Sequence, residues 1–354
     1  MNAAAPQPQA ALSPASALSA ASAQGRPARL PRRALHGVLL LDKPLTWSSN
    51  DALQKVKHLF RAEKVGHTGT LDPLATGLLP LCFGAATKFS QVALDADKRY
   101  LATLKLGVCT TTGDGEGEVR QTREVNVTRE LVEQACAALV GEIDQMPPMH
   151  SALKHEGRAL YEYAREGVEI ERAARKITIH AIDIVEWHDD CLVIDVQCSK
   201  GTYIRTLAED IGEQLGCGAH LSALRRTGSG QVTLDRAVTI EALQAMTEDE
   251  RDALLQPPDL LVSHWPAVTL SQEDATRFLT GLRRRVSHAD QPAVRVYGPN
   301  PVTHGERHPD VFLGSAHIAG GDLIPSRLLS PIEVQGLLTL PGSQVPDARS
   351  HRAT

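Results

Sequence analysis

The sequence predicts an α+β fold with a mainly antiparallel mixed sheet at its centre, followed by a small β-rich domain. Predicted strands and helices succeed one another irregularly, without the repeated βαβ units that build a parallel sheet. Apolar residues alternate on both sides of Asp189-Asp190, which predicts an antiparallel hairpin from Ile177 to Val196. Hydrophobic residues make up 42% of the 354 residues and charged residues 22%, a balance typical of a folded chain with a sizeable core.

The elements are predicted in order from apolar runs and helical spacing. The run Gly37–Asp42 indicates a buried strand, and Ser48 is one of several cap residues before a helix that ends ahead of Gly66. Further on, Leu131, Ala135 and Leu139 are expected to share the buried face of a helix at 129–141. The other predicted elements are strands at 78–83 and 99–108, a helix at 85–93, and a helix that begins near Arg205.

Three parts of the chain differ in composition. Residues 1–34 are rich in Ala, Pro and Ser, contain four arginines and lack acidic residues, so we predict a disordered tail. This tail is either an RNA-contacting arm or a passive extension. Residues 35–255 form the predicted main domain, a linker is expected around Gln256-Pro257-Pro258, and 262–345 form the small β-rich domain.

Charge and cysteine content restrict the possible partners and compartment. The net charge of -5 argues mildly against a nucleic-acid partner, so any RNA site must be local, as in the lysine-rich stretch 43–99, unless that stretch is merely a solvated face. The six cysteines form no CxxC pair or zinc-like cluster, which favours free thiols in a reducing cytoplasm. No apolar run approaches the roughly 20 residues of a membrane span, so we expect a soluble protein without membrane contact.

The loop Gly66–Gly77 is the most unusual segment of the chain. Its single carboxylate, Asp72, stands immediately before Pro73, and its glycines allow tight turns on both sides. Read alone, an Asp-Pro in a glycine-rich loop is either a simple turn or a rigidly held catalytic carboxylate. The chain has no P-loop, dinucleotide fingerprint or metal cluster, so no cofactor and no metal are expected.

This loop, Gly-His-Thr-Gly-Thr-Leu-Asp-Pro-Leu-Ala-Thr-Gly, resembles that of the TruB family of tRNA pseudouridine-55 synthases. The resemblance extends over roughly residues 37 to 230, through the segments 37–44, 97–100, 147–153, 200–206 and 216–226. It implies a pseudouridine synthase fold with a PUA-like C-terminal domain, at 262–345, that binds RNA. It further implies isomerisation of a uridine in the T loop of tRNA, by base flipping and without a cofactor. That reaction breaks the N1–sugar bond of uracil, turns the base and rejoins it through C5.

The resemblance also assigns roles to individual residues. Asp72 becomes the catalytic carboxylate, and Arg205 becomes its partner, able to grip both carboxylate oxygens. Tyr100 is expected to stack on the flipped uracil and to assist in proton removal. The base pocket is lined by Tyr203 and Leu224. The resemblance assigns His67 to the stack that the extruded nucleotide leaves.

For three basic residues the sequence is compatible with two different roles. Lys43, Lys64 and Arg226 are predicted either to contact phosphate groups or to form surface salt bridges. The sequence does not decide between these interpretations.

Several alternative functions remain open. A guide-RNA-dependent synthase of the archaeal and eukaryotic kind shares the aspartate loop, but this chain lacks the basic extensions usual there. The large-ribosomal-RNA synthases carry an arginine where this chain has Thr70. An RNA-binding protein without catalysis is disfavoured by the joint presence of Asp72, Tyr100 and Arg205. The expected partner is therefore the T-arm of tRNA, with no guide RNA and no obligate protein partner.

Overall fold

A computed structural model of the chain describes Met1 and residues 30–300 and 310–338. From Arg33 onward the described residues form one compact unit. The strands are β1 Gly37–Lys43, β2 Val65–His67, β3 Ala75–Phe83, β4 Lys98–Leu106, β5 Val108–Thr110, β6 Val119–Thr122, β7 Gly141–Gln145, β8 Lys154–His155, β9 Arg158–Ala159, β10 Arg175–His188, β11 Cys191–Cys198, β12 Ala219–Ser229, β13 Val232–Thr233, β14 Ala267–Thr269, β15 Arg284–Arg285, β16 Gln291–Gly298, β17 Val311–Ala319 and β18 Asp322–Leu328.

The α-helices of the described residues are 5 to 11 residues long. They are α1 Ser49–Leu59, α2 Ser90–Asp95, α3 Arg129–Ala138, α4 Leu160–Arg165, α5 Ile204–Gln214, α6 Ile240–Ala245, α7 Glu248–Asp252, α8 Gln272–Leu279 and α9 Pro331–Leu337. Short 3-10 helices occupy Gly84–Phe89, Leu234–Arg236 and Pro258–Val262. No helix in the described ranges is long and apolar enough to cross a membrane.

A mixed sheet forms the centre of the molecule. Within the described residues nine strands join it, in the order β1-β3-β12-β4-β11-β10-β7, with β2 beside β3 and β13 beside β12. Every pairing is antiparallel except that of β12 with β3. The predicted hairpin is confirmed as β10 and β11, because their inward residues alternate and pack under α5. The α+β expectation with a mainly antiparallel sheet is therefore confirmed.

Two predicted helices differ from the structure in detail. In α3, Ala135 is buried as predicted, and so is Leu139 at the end of the helix. Leu131 was predicted wrongly, because it is 46% exposed and Val132 and Cys136 complete the buried face instead. The segment predicted as one helix at 85–93 is a 3-10 helix followed by α2. There the hydroxyls of Thr87 and Ser90 donate to backbone carbonyls at 2.7 and 2.9 Å, which favours the tighter turn.

The C-terminal part is a second, smaller sheet, as the sequence predicts. Five strands of the described residues pair in the order β14-β16-β17-β18-β15. The segment expected as a linker is ordered and packed, since Gln256 exchanges two backbone hydrogen bonds with Val38 and Leu261 is buried. The segment around Gln256 is therefore part of the folded core and is not a free linker.

The predicted tail falls largely outside the described residues, which begin again at Leu30. At its end Arg33 is not free, as a tail residue would be. Its backbone amide donates to Arg61 O at 2.8 Å, and its guanidinium pairs with Asp252 and with Glu248. The main compact unit therefore includes Arg33, two residues before the predicted boundary at 35, because carboxylates of α7 pair with its guanidinium.

Candidate active site

The Asp72 loop connects β2 to β3 and is attached to the first residue of α1. The Ser49 hydroxyl accepts a hydrogen bond from Leu71 N at 2.7 Å and donates to Leu71 O at 3.1 Å. Ser48 caps α1 through a capping box with Asp51, so the helix start that carries Ser49 is itself well defined. The Asp72 side chain remains 46% exposed. The backbone is thus fixed while the carboxylate faces open space.

Arg205, in the first turn of α5, is brought to this carboxylate. Its Nη2 lies 3.1 Å from Asp72 Oδ2, and its side chain is only 6% exposed. The expected two-oxygen grip is replaced by a different arrangement, because Nε faces Asp114 Oδ2 at 3.6 Å. The carbonyls of Thr112 and His150 accept from the same guanidinium at 3.2 and 2.6 Å. Arg205 therefore joins two carboxylates and two loops.

Asp114 is a site residue that the sequence alone did not identify. It is 4% exposed, and its Oδ1 accepts from the Thr112 hydroxyl at 2.5 Å and from Glu116 N at 3.1 Å. The only sequence signal was the Gly/Asp-rich turn at 112–117, in which a carboxylate that folds back on its own loop is common. Its pairing with Arg205 depends on chain segments far apart in sequence.

Two cavities meet at Asp72 and Arg205. The first has a volume of about 340 Å³ and contains Tyr100, Tyr203 and Leu224 in its wall. The second, about 480 Å³, contains His67. Asp72, Arg205 and a few neighbours belong to both walls. The structure thus gathers all six predicted site residues, with His67 in the second cavity and the three pocket residues in the first.

The two tyrosines of the first cavity are held by different means. Tyr100 lies on β4 between Val196 of β11 and Arg226 of β12, and burial raises the pKa of its hydroxyl against the opposing influence of Arg226. Tyr203 precedes α5, and both its backbone groups bond to the buried side chain of Gln145, at 2.8 and 3.1 Å. Burial also raises the pKa of Tyr203. Both phenols are therefore neutral at neutral pH.

His67, in the wall of the second cavity, is a polar residue with a buried ring nitrogen. Its Nδ1 is buried without a hydrogen-bond partner in the described part of the chain. Burial lowers the pKa of the imidazole, and the charge of Arg226 lowers it further. The ring is therefore uncharged at neutral pH.

The predictions for two of the three basic residues were wrong. Lys43 is fully buried and donates to the carbonyls of Pro44 and Trp47 at 2.9 and 2.5 Å. Arg226, 1% exposed, donates to Leu78 O and Gly69 O at 2.7 and 3.2 Å. Both side chains are buried within the central sheet, Lys43 on β1 and Arg226 on β12, so neither forms the surface salt bridge that was one of the two predictions. Lys64 is exposed, and its role stays a prediction.

This fold and site define a class, the pseudouridine synthases, and comparison with known proteins supports the assignment. The family model described as TruB family pseudouridylate synthase (N terminal domain) matches residues 57–204. The model for the tRNA pseudouridylate synthase B C-terminal domain matches residues 205–263. The chain belongs to the TruB family of pseudouridylate synthases and is an enzyme of the isomerase class.

Similar proteins cover nearly the whole chain. tRNA pseudouridine synthase B of Verminephrobacter eiseniae (strain EF01-2) is 56% identical over 317 residues, 88% of this chain and 93% of its own length. The protein of the same name from Ralstonia nicotianae (strain ATCC BAA-1114 / GMI1000) is 58% identical over 308 residues, 85% of this chain and 96% of its own length.

Solved structures resemble the chain in fold. A Cbf5-Nop10-Gar1 complex contains a chain that matches with a TM-score of 0.63 and 24% identity, over 85% of this chain and 87% of that one. A chain of the archaeal box H/ACA sRNP Nop10-Cbf5 complex matches with a TM-score of 0.61 and 21% identity, over 84% of this chain and 88% of that one. With the family membership, these matches confirm the predicted pseudouridine synthase fold.

Proposed function

We propose that this enzyme isomerises uridine to pseudouridine at position 55 in the T loop of tRNA, by flipping the base into the first cavity. The observation that carries the proposal is the exposed Asp72 carboxylate, held 3.1 Å from Arg205 at the mouth of an aromatic-lined cavity. The relatives described above are named as tRNA enzymes, which supports tRNA as the substrate.

Asp72 is the catalytic carboxylate in this proposal. The reaction needs one carboxylate, held rigidly, that attacks carbon or removes a proton. Asp72 attacks the sugar C1′, attacks C6 of uracil, or removes the C2′ proton. Each route requires a carboxylate that is held rigidly beside the sugar and the base. Ser49 fixes the loop backbone and Arg205 holds the carboxylate, which meets this requirement.

The first cavity receives the uracil. A cavity of about 340 Å³ accommodates a pyrimidine ring, with Leu224 and Tyr203 in its wall and Tyr100 available to stack on the base. Extruding a nucleotide from a stacked loop requires a few kcal/mol, which contacts in such a pocket offset. Tyr100 also assists in removing the C5 proton.

His67 fills the space that the extruded base leaves. An uncharged imidazole is a flat ring that stacks on neighbouring bases, and the second cavity, which contains His67, lies open beside Asp72. The enzyme acts on tRNA in the cytoplasm without a guide RNA, a protein partner, a cofactor or a metal ion.

A single reaction tests the proposal. Unmodified tRNA transcript is incubated with the purified protein and no added cofactor, and pseudouridine is located by chemical labelling and primer extension. We expect modification at position 55, none in a transcript with cytidine there, and measurable activity on a T-loop hairpin. Asp72→Asn, which keeps the shape of the side chain and removes its charge, should abolish turnover while tRNA binding persists. Substantial turnover by this variant would refute the role of Asp72.

A further inference from the structure

Two buried cations form part of the wall of the first cavity. Lys98, at the start of β4, and Arg226, on β12, are 9% and 1% exposed. Lys98 Nζ donates to the carbonyls of Ala93, Leu94 and Ala96 at 2.9, 2.9 and 2.5 Å. Arg226 likewise bonds to backbone carbonyls, those of Leu78 and Gly69. Both cations are thus held in place by neutral dipoles.

Neither cation is neutralised by an acid. In the described ranges no carboxylate lies within ion-pairing distance of Lys98 or Arg226, whereas Arg205 in the same wall is paired with both Asp72 and Asp114. A buried charge without a counterion is unfavourable in the folded protein. The wall of the first cavity therefore carries an excess of positive charge.

The proposed reaction produces a negative charge in this cavity. When the N1–C1′ bond breaks, its electron pair stays with the uracil, which becomes an anion. Bond cleavage leaves C1′ of the sugar electron-poor. On the two routes in which Asp72 acts on the sugar, C1′ then forms a bond to Asp72, or the sugar loses its C2′ proton to Asp72. The base then turns and C5 bonds to C1′, while the Asp72–C1′ bond breaks or C2′ takes its proton back from Asp72. The C5 proton then leaves, and N1 regains a proton. The detached base is the most negative species along this path.

We propose that Lys98 and Arg226 stabilise the uracil anion while the base is detached from the sugar, and so retain it in the cavity as it turns. This inference rests on the proposed function. Charges that are already in position at the moment of bond cleavage need no reorganisation to stabilise the anion. Arg226 acts from beside Tyr100, its cross-strand neighbour, and Lys98 acts from the same strand as Tyr100.

The ionisation of Lys98 makes its part in the proposal measurable. Burial, helped by the nearby charge of Arg226 and opposed by Cys198, Asp95 and Asp97, lowers the pKa of Lys98 to about 8. Asp95 is itself paired with Lys200 at 2.8 Å. Lys98 is therefore charged below pH 8 and loses its charge as the pH rises through 8.

The first experiment compares uridine with 5-fluorouridine at the target position. Fluorine stabilises the uracil anion, so it should compensate for a missing cation. Arg226→Met and Lys98→Met should slow N1–C1′ cleavage of uridine about 100-fold in single turnover, the size found when one preorganised donor is removed. The same variants should slow cleavage of 5-fluorouridine clearly less. Equal slowing of both substrates would overturn the proposal.

Lys43→Met is the matched control. Lys43 is also buried and bonded to carbonyls, but it lies outside the lining of the first cavity. Any slowing that it causes should be the same for both substrates. Arg226→Lys keeps a charge at that position and should keep the wild-type ratio of the two rates. Thermal unfolding of each variant identifies misfolding. If a methionine variant is misfolded, the ratio of the two rates in Arg226→Lys still tests the proposal.

The second experiment follows the cleavage rate between pH 6.5 and 8.8. The wild-type rate should fall as the pH rises through 8, and Lys98→Arg, which stays charged, should remove the fall. An unchanged profile in Lys98→Arg would exclude Lys98. Failure of the wild type to modify any tRNA would instead refute the proposed function, so the two failures are distinguishable.

Discussion

Arg205 shows how much a single side chain organises in this enzyme. It pairs with Asp72 and Asp114 and donates to carbonyls of two loops, all while almost fully buried. A buried guanidinium surrounded in this way has one allowed position. The orientation of the Asp72 carboxylate therefore depends on groups from three separate parts of the chain.

At this scale we predict that Arg205→Lys behaves almost like a deletion. Lysine keeps the charge, but a single ammonium group cannot reach both carboxylates and both carbonyls from the same helix position. Displacement of Asp72 by about an ångström would lower the single-turnover rate on the order of 100-fold, with little change in tRNA affinity. Rapid-quench measurement of pseudouridine formation checks this.

Arg123→Lys is the control for that substitution. Arg123 forms a more exposed ion pair with Glu213 at 2.9 Å, outside both cavities, so its replacement should leave the rate within about twofold. A near-normal rate in Arg205→Lys would show that Arg205 contributes charge alone.

The Asp72 loop and strand β3 are the element on which the site depends. Gly77 has φ +99°, and a Cβ atom there would lie 2.4 Å from Arg226 O of the parallel strand β12. This close approach is the contact by which β3 joins β12, with Gly77 directly opposite Arg226. A glycine is needed because both the backbone angle and the neighbouring backbone exclude a side chain.

We therefore predict that Gly77→Ala separates β3 from β12 and strongly destabilises the protein, by more than about 3 kcal/mol. Gly66→Ala in the neighbouring strand β2 should change stability little, because the nearest atom to a Cβ added there, in the Thr87 side chain, is 4.0 Å away. Urea denaturation of both variants measures the difference. Similar midpoints for the two would mean that the strands adjust to the added methyl group.

At the scale of the whole molecule, the two sheets share a hydrophobic core. Val38 of β1 and Phe89 belong to the same buried cluster as Phe312 of β17, and the rings of Phe89 and Phe312 lie 5.1 Å apart. Lys88 pairs with Glu333 of α9 at 2.6 Å. The C-terminal sheet is therefore a support of the catalytic part as well as a candidate RNA-contacting surface.

This arrangement predicts the outcome of truncation. Removing residues from Leu261 onward would expose Val38 and Phe89, and we expect the remaining chain to lose its cooperative thermal transition and its activity on a T-loop hairpin. Truncation after Leu338 removes none of the described contacts and should keep both. Calorimetry of the two truncated proteins tests this, and full hairpin activity in the shorter one would contradict it.

The C-terminal surface itself is tested separately. If it contacts tRNA as the family resemblance implies, replacing the exposed Arg283 and Arg327 with glutamine should weaken tRNA binding and reduce its salt dependence, with hairpin activity unchanged. Filter binding at several salt concentrations measures this. Unchanged affinity for full-length tRNA would assign the domain a purely supporting role.

The sequence by itself determined the local features of this protein. Apolar alternation predicted the β10–β11 hairpin, cap residues predicted the start of α1, and the glycine-rich loop with its single carboxylate indicated Asp72. These signals are local because hydrogen bonding, backbone freedom and side-chain periodicity act over a few residues. The family resemblance added Arg205, Tyr100 and the pocket residues.

Only the tertiary structure decided which charges meet and which are buried. Asp114 reads as an ordinary turn residue until α5 brings Arg205 beside it, and Arg226 reads as a surface cation until β3 and β12 enclose it. Burial depends on packing between segments distant in the chain, and the energy of a charge depends on that burial. The positive wall of the first cavity is for this reason visible only in the folded molecule.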